Sequence, residues 1–300
     1  MGVRVSKRAR ALVLTIAATA SVALGAASTA VSAAPAGAAS GNNLNVVAGE
    51  YVYQLKGSPK PGWVTITFEN KGTEMHMLAL AAFKPGTTVA DLKEAASAQD
   101  DTKYNSIVDT SIGVDGQIPG VPTLLSSKNK TVATVNLPAG HYGILCFVPA
   151  ADGTPHALHG MIKMFDVKGA KSSAKPPTTQ VTADLTDSGI TFPVDNPGRN
   201  LSVKVTNSGT ALHSFALIRV NDGQTLDGVR DYFNAFFAGQ APAGDAPGEL
   251  VGGIAAIAPG GTAYFQQTLK PGHYGYVSTE GDDPATDDYS KGLKGEFDVK

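Results

Sequence analysis

Cys146 is the single cysteine in a chain of 300 residues. His156 follows it ten positions later and Met161 five further on, within GHYGILCFVPAADGTPHALHGMIKMFDV (residues 140–167). A thiolate, an imidazole and a thioether are soft or borderline donors that suit copper. Two His and one Cys with a weak axial Met form the donor set of blue-copper electron-transfer sites. This stretch supplies three of the four, and His76, in NKGTEMHMLAL (residues 70–80), is the expected fourth. His159 and Met164 stand by as alternative donors. The competing reading of Cys146 is an inert core thiol, since free Cys is among the most buried residue types.

Four donors from separate parts of a chain need rigid elements to hold them, and the sequence indicates strands. With 34 Gly, 18 Pro and only 17% charged residues, the composition points to an all-β protein with many turns. VVAGEYVYQL is expected as strand, GSPKPG as a turn and WVTITFEN as a further strand. In the last of these Val64, Ile66 and Phe68 alternate with Thr65, Thr67 and Glu69, the period of a half-buried strand. His76 then starts a strand on the same face as Leu78 and Leu80. Thr88 and Asp91 form a capping-box pattern that opens a short helix running to about Ala98, and polar, Gly-rich sequence continues to Gly120. A strand over 131–136, a turn at LPAG and the Cys146 strand follow, with Tyr142, Ile144 and Cys146 on one face and Phe165 and Val167 closing the unit.

KGAKSSAKPPTT (168–179) has linker composition, and beyond it the chain repeats itself. NKGTEMHMLAL returns as NSGTALHSFAL (207–217) and LPAGHYG as LKPGHYG (269–275). The helix returns over Thr225–Phe237, where Tyr232, Phe233, Phe236 and Phe237 are expected to pack against a sheet. The expected layout is a first domain over 41–168, a linker over 169–179 and a second domain over 180–300. The copies differ at the donors. Ser278 aligns with Cys146, Asp288 with His156 and Leu293 with Met161, and only His213 keeps its type, opposite His76. One metal site is therefore expected, in the first domain. His141 and His273, common to both copies, are expected in turns or at the surface. The acidic loop EGDDPATDDY (280–289) lacks the spacing of a calcium loop and is expected to be a solvated turn.

The first residues, MGVRVSKRAR followed by ALVLTIAATASVALGAA and small-residue sites, have the pattern of a secretory signal peptide over 1–38. Without its four basic residues the chain keeps 20 basic against 26 acidic side chains, which argues against nucleic-acid binding. No later segment is long and apolar enough to span a membrane. An extracytoplasmic location, secreted or at the cell surface, is expected, and outside the cytoplasm an unpaired thiol calls for a special use.

At His76, Gly140, Tyr142, Cys146, His156, Gly160 and Met161 the sequence resembles the cupredoxin family, the plastocyanin and azurin group. The resemblance implies two tandem Greek-key β-sandwich or barrel domains, each with a short inserted helix. It implies one mononuclear type 1 copper held by His76, Cys146, His156 and axial Met161, electron transfer or copper handling, and an unidentified redox or copper-exchange protein as partner. Nine residues separate Cys146 from His156, a loop longer than in the simplest members and nearer that of copper nitrite reductases. In the family's multicopper oxidases and nitrite reductases a His beside the ligand Cys helps hold further copper. Leu145 and Phe147 flank Cys146 and the chain has six His, so no enzyme activity is expected. A metal-free extracellular β-sandwich used for interaction or structure is the alternative.

Overall fold

The computed structural model describes residues 41–98, 101–114, 116–240, 242–281 and 283–300. The expected signal peptide lies outside them. No helix among the described residues is long and apolar enough to cross a membrane.

The first half opens with a hairpin, β1 (Asn43–Gly49) and β2 (Val52–Lys56), where the sequence suggested one strand. Tyr51 makes the turn at φ 59°, a left-handed conformation that few non-glycine residues adopt. β3 (Gly62–Asn70) pairs with β1 in parallel, so that Leu44, Val46, Ile66 and Phe68 face the core. β4 (Ala79–Phe83) then crosses to the opposite sheet. α1 (Val89–Ala98) starts with the expected box, Thr88 N donating to Asp91 Oδ2 at 2.8 Å and Asp91 N to Thr88 Oγ1 at 3.3 Å. A second helix, α2 (Asp101–Ile107), replaces the expected irregular stretch. Its polar sequence carries little helical signal, and it is held by Tyr104 and Ile107 packing on Phe83 and its neighbours. β5 (Lys130–Leu137) returns to pair with β3, while β6 (Gly140–Leu145) and β7 (Ile162–Val167) join β4. β3 and β5 are thus neighbours linked through the opposite sheet, as in Greek-key connections.

Residues 168–179 contain no strand or helix. The second half repeats the plan with β8 (Val181–Thr186), β9 (Gly189–Thr191), β10 (Asn200–Asn207), β11 (His213–Val220), α3 (Leu226–Phe237, capped by Thr225), β12 (Gly248–Ile257), β13 (Thr262–Thr268), β14 (Gly272–Val277) and β15 (Lys294–Val299). β8, β9, β10 and β13 form one layer, and β12, β11, β14 and β15 the other.

The halves are not beads on a string. β5 pairs antiparallel with β13, Phe265 opposite Ala133, so the outer layers of both halves form one eight-stranded sheet. The exposed edge of β12, which an unpaired strand would leave open to other chains, is covered by first-half backbone. Ala255 N donates to Val121 O, Gly120 N to Ala256 O and Ser126 N to Leu250 O, at 2.8–3.0 Å. Trp63 meets Tyr264 edge-on across the join, with ring centroids 5.4 Å apart. Gly120 sits at φ 72°, and a Cβ there would lie 2.5 Å from Ala263 Cβ. Gly120→Ala should therefore destabilise the chain by about 1–3 kcal/mol. Because the halves share a sheet, Trp63 fluorescence and far-ultraviolet circular dichroism should report one coincident transition in urea, shifted to lower concentration. An unshifted midpoint, or separate transitions in the wild type, would show that the join is not structural.

Candidate metal centre

Cys146 lies just past the end of β6, and its side chain faces inward with Tyr142 and Ile144 in one core cluster. The long loop after it is closed by its own backbone. Cys146 N donates to Met161 O (3.2 Å), His156 N to Val148 O (2.9 Å), Ala157 N to Cys146 O (2.8 Å) and Met161 N to His156 O (2.9 Å). His76 is anchored from the other side by a reciprocal pair with Leu125, N to O at 3.0 and 2.9 Å.

This frame brings together three of the four expected donors. His76 Nδ1 and His156 Nδ1 are 3.1 Å apart, and Cys146 Sγ is 3.4 Å from His156 Nδ1 and 3.9 Å from His76 Nδ1. All three residues are fully buried, and they are the one such cluster of His, Cys or acidic donors among the described residues. Met161 is fully buried in the same core cluster as Cys146 and bonded through its backbone to both Cys146 and His156. The alternative donors point elsewhere. His159 is partly exposed, bonds Asp152 Oδ1 at 3.2 Å and stacks on Tyr51, while Met164 packs against Phe83, Leu92 and Gly143 in a separate cluster.

An ion bonded to nitrogen at about 2.0 Å and to sulfur at about 2.3 Å, the lengths zinc shows, spreads its donors about 3.3–3.7 Å apart. The observed triangle brackets that range, so the residues fit a small metal ion. Burial lowers the pKa of His76 and His156 to about 4, the first assisted by His156 and the second by His159. Both imidazoles are thus held in the neutral, ligating form. Burial pushes the Cys146 thiol up to about 12, so an ion has to displace its proton on binding. The backbone N–H of Met77 already points at the sulfur, at 3.4 Å.

Three residues around the centre had no signal in the sequence beyond closeness to His76 or to the β1–β2 turn. Glu74 Oε2 lies 2.8 Å from His156 Nε2 but off the N–H direction, so the contact is an ion-pair distance without hydrogen-bond geometry. Tyr51 donates to Glu74 Oε1 at 3.2 Å and lays its ring edge-on to His156. Glu50 accepts from Thr73 and sits beside Gly72, where a Cβ would come 2.6 Å from Glu50 Oε1 and 2.7 Å from His76 Nε2. His76 Nε2 itself has no partner.

The second half keeps the frame and changes the donors. Ser278 N donates to Leu293 O, Leu293 N to Asp288 O and Asp288 N to Glu280 O, each at 2.9 Å, matching three of the four bonds given for the loop of the first half. In place of three metal donors stands a polar network. His213 Nδ1 meets Asp288 Oδ2 at 2.6 Å, Ser278 Oγ donates to the same oxygen at 2.6 Å, and His213 Nε2 meets Asp187 Oδ1 at 3.0 Å. The acidic loop is exposed over 283–286, as expected of a solvated turn, but its end is not. Asp287 and Asp288 are buried, one with Arg230 and the other with His213, because the loop must fill the space that His156 and its neighbours fill in the first half. His141 and His273 lie toward the surface as expected, each bonded to an Asp on the adjacent strand. Phe237 is buried and Phe236 packs onto the core of the first half.

No protein-family model and no curated protein matches the chain. Among solved structures it is similar to auracyanin B, at 20% identity over 42% of this chain and 91% of that one, with a TM-score of 0.30. The auracyanin of Roseiflexus castenholzii aligns at 19% identity over 41% of this chain and 99% of that one, TM-score 0.27. A multicopper oxidase aligns at 12% identity over 86% of this chain and 88% of that one, TM-score 0.25. These are distant likenesses, and what those proteins bind or do is theirs alone. The fold is cupredoxin-like, on the evidence of its own paired sheets, repeated strand order and Cys–His–Met loop.

The Asp187 carboxyl is held well below the usual carboxylate range by the Thr210 hydroxyl and backbone N–H, and by His213. Such a group stabilises the fold above its unfolded pKa and loses that contribution as the pH falls through its lower folded value. Asp187→Asn should therefore lower the urea midpoint at neutral pH, and its deficit should shrink as the pH drops below about 4. A deficit that stays constant into acid would contradict this role.

Proposed function

We propose that the chain is an exported copper-binding protein that carries one mononuclear ion in its first half, over 41–168, and passes single electrons or hands on copper. The observation that carries this reading is the buried triangle of His76 Nδ1, Cys146 Sγ and His156 Nδ1, whose sides suit one small ion. Met161, buried in the same core cluster as Cys146, would be the fourth and weaker donor. Copper bound there would supply a one-electron couple. The residues would supply the rest. Neutral imidazoles need no proton removed, the thiol gives up one, and the Met77 N–H tempers the charge left on sulfur. The self-bonded loop fixes three donors before any ion arrives, which limits reorganisation, and the apolar surround sets the potential.

Glu74 and Tyr51 close the solvent side of His156. Glu74 lies 2.8 Å from the outer nitrogen of His156, where its charge would raise the basicity of a ligating imidazole and a small turn would make the hydrogen bond that orients the ring. The proposed partner is a redox or copper-exchange protein, and no catalytic role is assigned. The second half, over 180–300 and joined through 169–179, is read as scaffold. A second reading, a metal-free β-sandwich that serves interaction, is favoured by one observation: the second half holds the same frame with a polar network and, among the described residues, no metal donor set.

Titration of the protein with copper, followed by visible absorption and electron paramagnetic resonance, tests the reading. One equivalent should raise an intense thiolate-to-copper band that Cys146→Ala abolishes while circular dichroism stays unchanged. Absence of the band, or copper binding indifferent to the substitution, would favour the second reading. Glu74→Gln should retain the band and weaken copper binding by about 10–100-fold, measured by competition with a chelator. Unchanged affinity would remove Glu74 from the site.

A further inference from the structure

Between the halves lies a cleft of about 210 Å³. Met77 and Phe147, which flank the metal centre, form part of one wall with Leu80 and Ile118, and Phe237 and Ala256 face them from the second half. Among the described residues lining it, Glu280 is the one ionisable side chain. Its carboxyl is pushed up to about 7 by burial, against a hydrogen bond from Ser214 that acts the other way, and Asp288 raises it further while His213 lowers it. No Lys or Arg among the described residues lines the cleft to offset its charge, and a carboxylate half-buried without a cation beside it is costly.

The fold does not demand an acid at this position. Glu280 O accepts from Asp288 N as Val148 O accepts from His156 N, and in the first half the buried apolar Val148 fills the same place in the frame. A carboxylate has thus been set into a mostly apolar cleft, beside Gln117, Thr123, Ser214 and Thr279, where a valine suffices for packing. Apolar pockets with one or two convergent polar groups are the usual form of small-molecule sites, and this one is smaller than the roughly 300 Å³ at which drug-sized pockets begin.

We propose that the cleft between the halves binds a small apolar amine, its hydrocarbon body held between Met77, Phe147 and Phe237 and its ammonium group paired with Glu280. The site requires no metal, so it stands or falls apart from the copper reading. The lining selects for one positive charge on a mostly hydrocarbon body. An anion would meet Glu280 with like charge, and a neutral isostere would leave the carboxylate unpaired.

The test is calorimetric titration of the metal-free protein with 2-phenylethylamine, at mildly alkaline pH where both carboxylate and ammonium are charged. The wild type should bind it saturably. Affinity should fall by about tenfold or more in Glu280→Gln, and by a similar factor for 2-phenylethanol on the wild type, the loss of a charge-assisted bond. Ala256→Phe, which fills the cleft, should abolish binding, with folding checked by Trp63 fluorescence. Equal affinity for amine and alcohol on the wild type would overturn the proposal even if a variant failed to fold. So would absence of saturable binding, or amine binding unchanged in Glu280→Gln.

Discussion

The Cys146 thiol and the two imidazoles of His76 and His156 are buried side by side with little to satisfy them but each other. Burying polar groups without full partners is costly, and here the cost is set by a backbone frame that leaves the side chains no alternative. The loop from Cys146 to Met161 is closed by four of its own hydrogen bonds, and His76 is locked to Leu125 on the facing segment. A metal ion would satisfy all three donors at once. The rest of the first half follows from holding that frame: the β3–β5 pair behind it, the core cluster beneath it, and Tyr51 and Glu74 over its outer side.

The second half shows what the frame does without such donors. Ser278, Asp288 and Leu293 occupy the places of Cys146, His156 and Met161, and His213 spans two carboxylates, each ring nitrogen facing one. Where the first half leaves His76 Nε2 without a partner, the second gives the matching nitrogen Asp187. The two solutions separate the duties of the repeat. One half keeps a donor set open to an ion, and the other closes the same space by itself and lends β13 to a sheet that both halves share.

Much of this was legible in the sequence because it is local. Residue types and short spacings marked Cys146, His156 and Met161, the stretch NKGTEMHMLAL offered His76, and the period of two placed Ile66 and Phe68 inward. The ungapped alignment of Cys146 with Ser278 and of His156 with Asp288 matches the backbone bonds residue for residue. What escaped depends on contacts distant in the chain. The pairing of Ala133 with Phe265, the cover that residues 120–126 lay over β12, and the convergence of Glu50, Tyr51 and Glu74 on the histidines leave no local pattern. α2 escaped because its polar sequence is helical only once Tyr104 and Ile107 have something to pack on. The end of the acidic loop misled because Asp288 looks like surface until its partner His213 is in place.

The central claim is that His76, Cys146 and His156 bind one copper ion together. X-ray absorption spectroscopy at the copper edge, on protein loaded with one equivalent, tests it most directly. The account predicts one short copper–sulfur path and two imidazole nitrogens around a single copper, with the sulfur path gone in Cys146→Ala. A copper surrounded only by nitrogen and oxygen, or a sulfur path that survives the substitution, would contradict it.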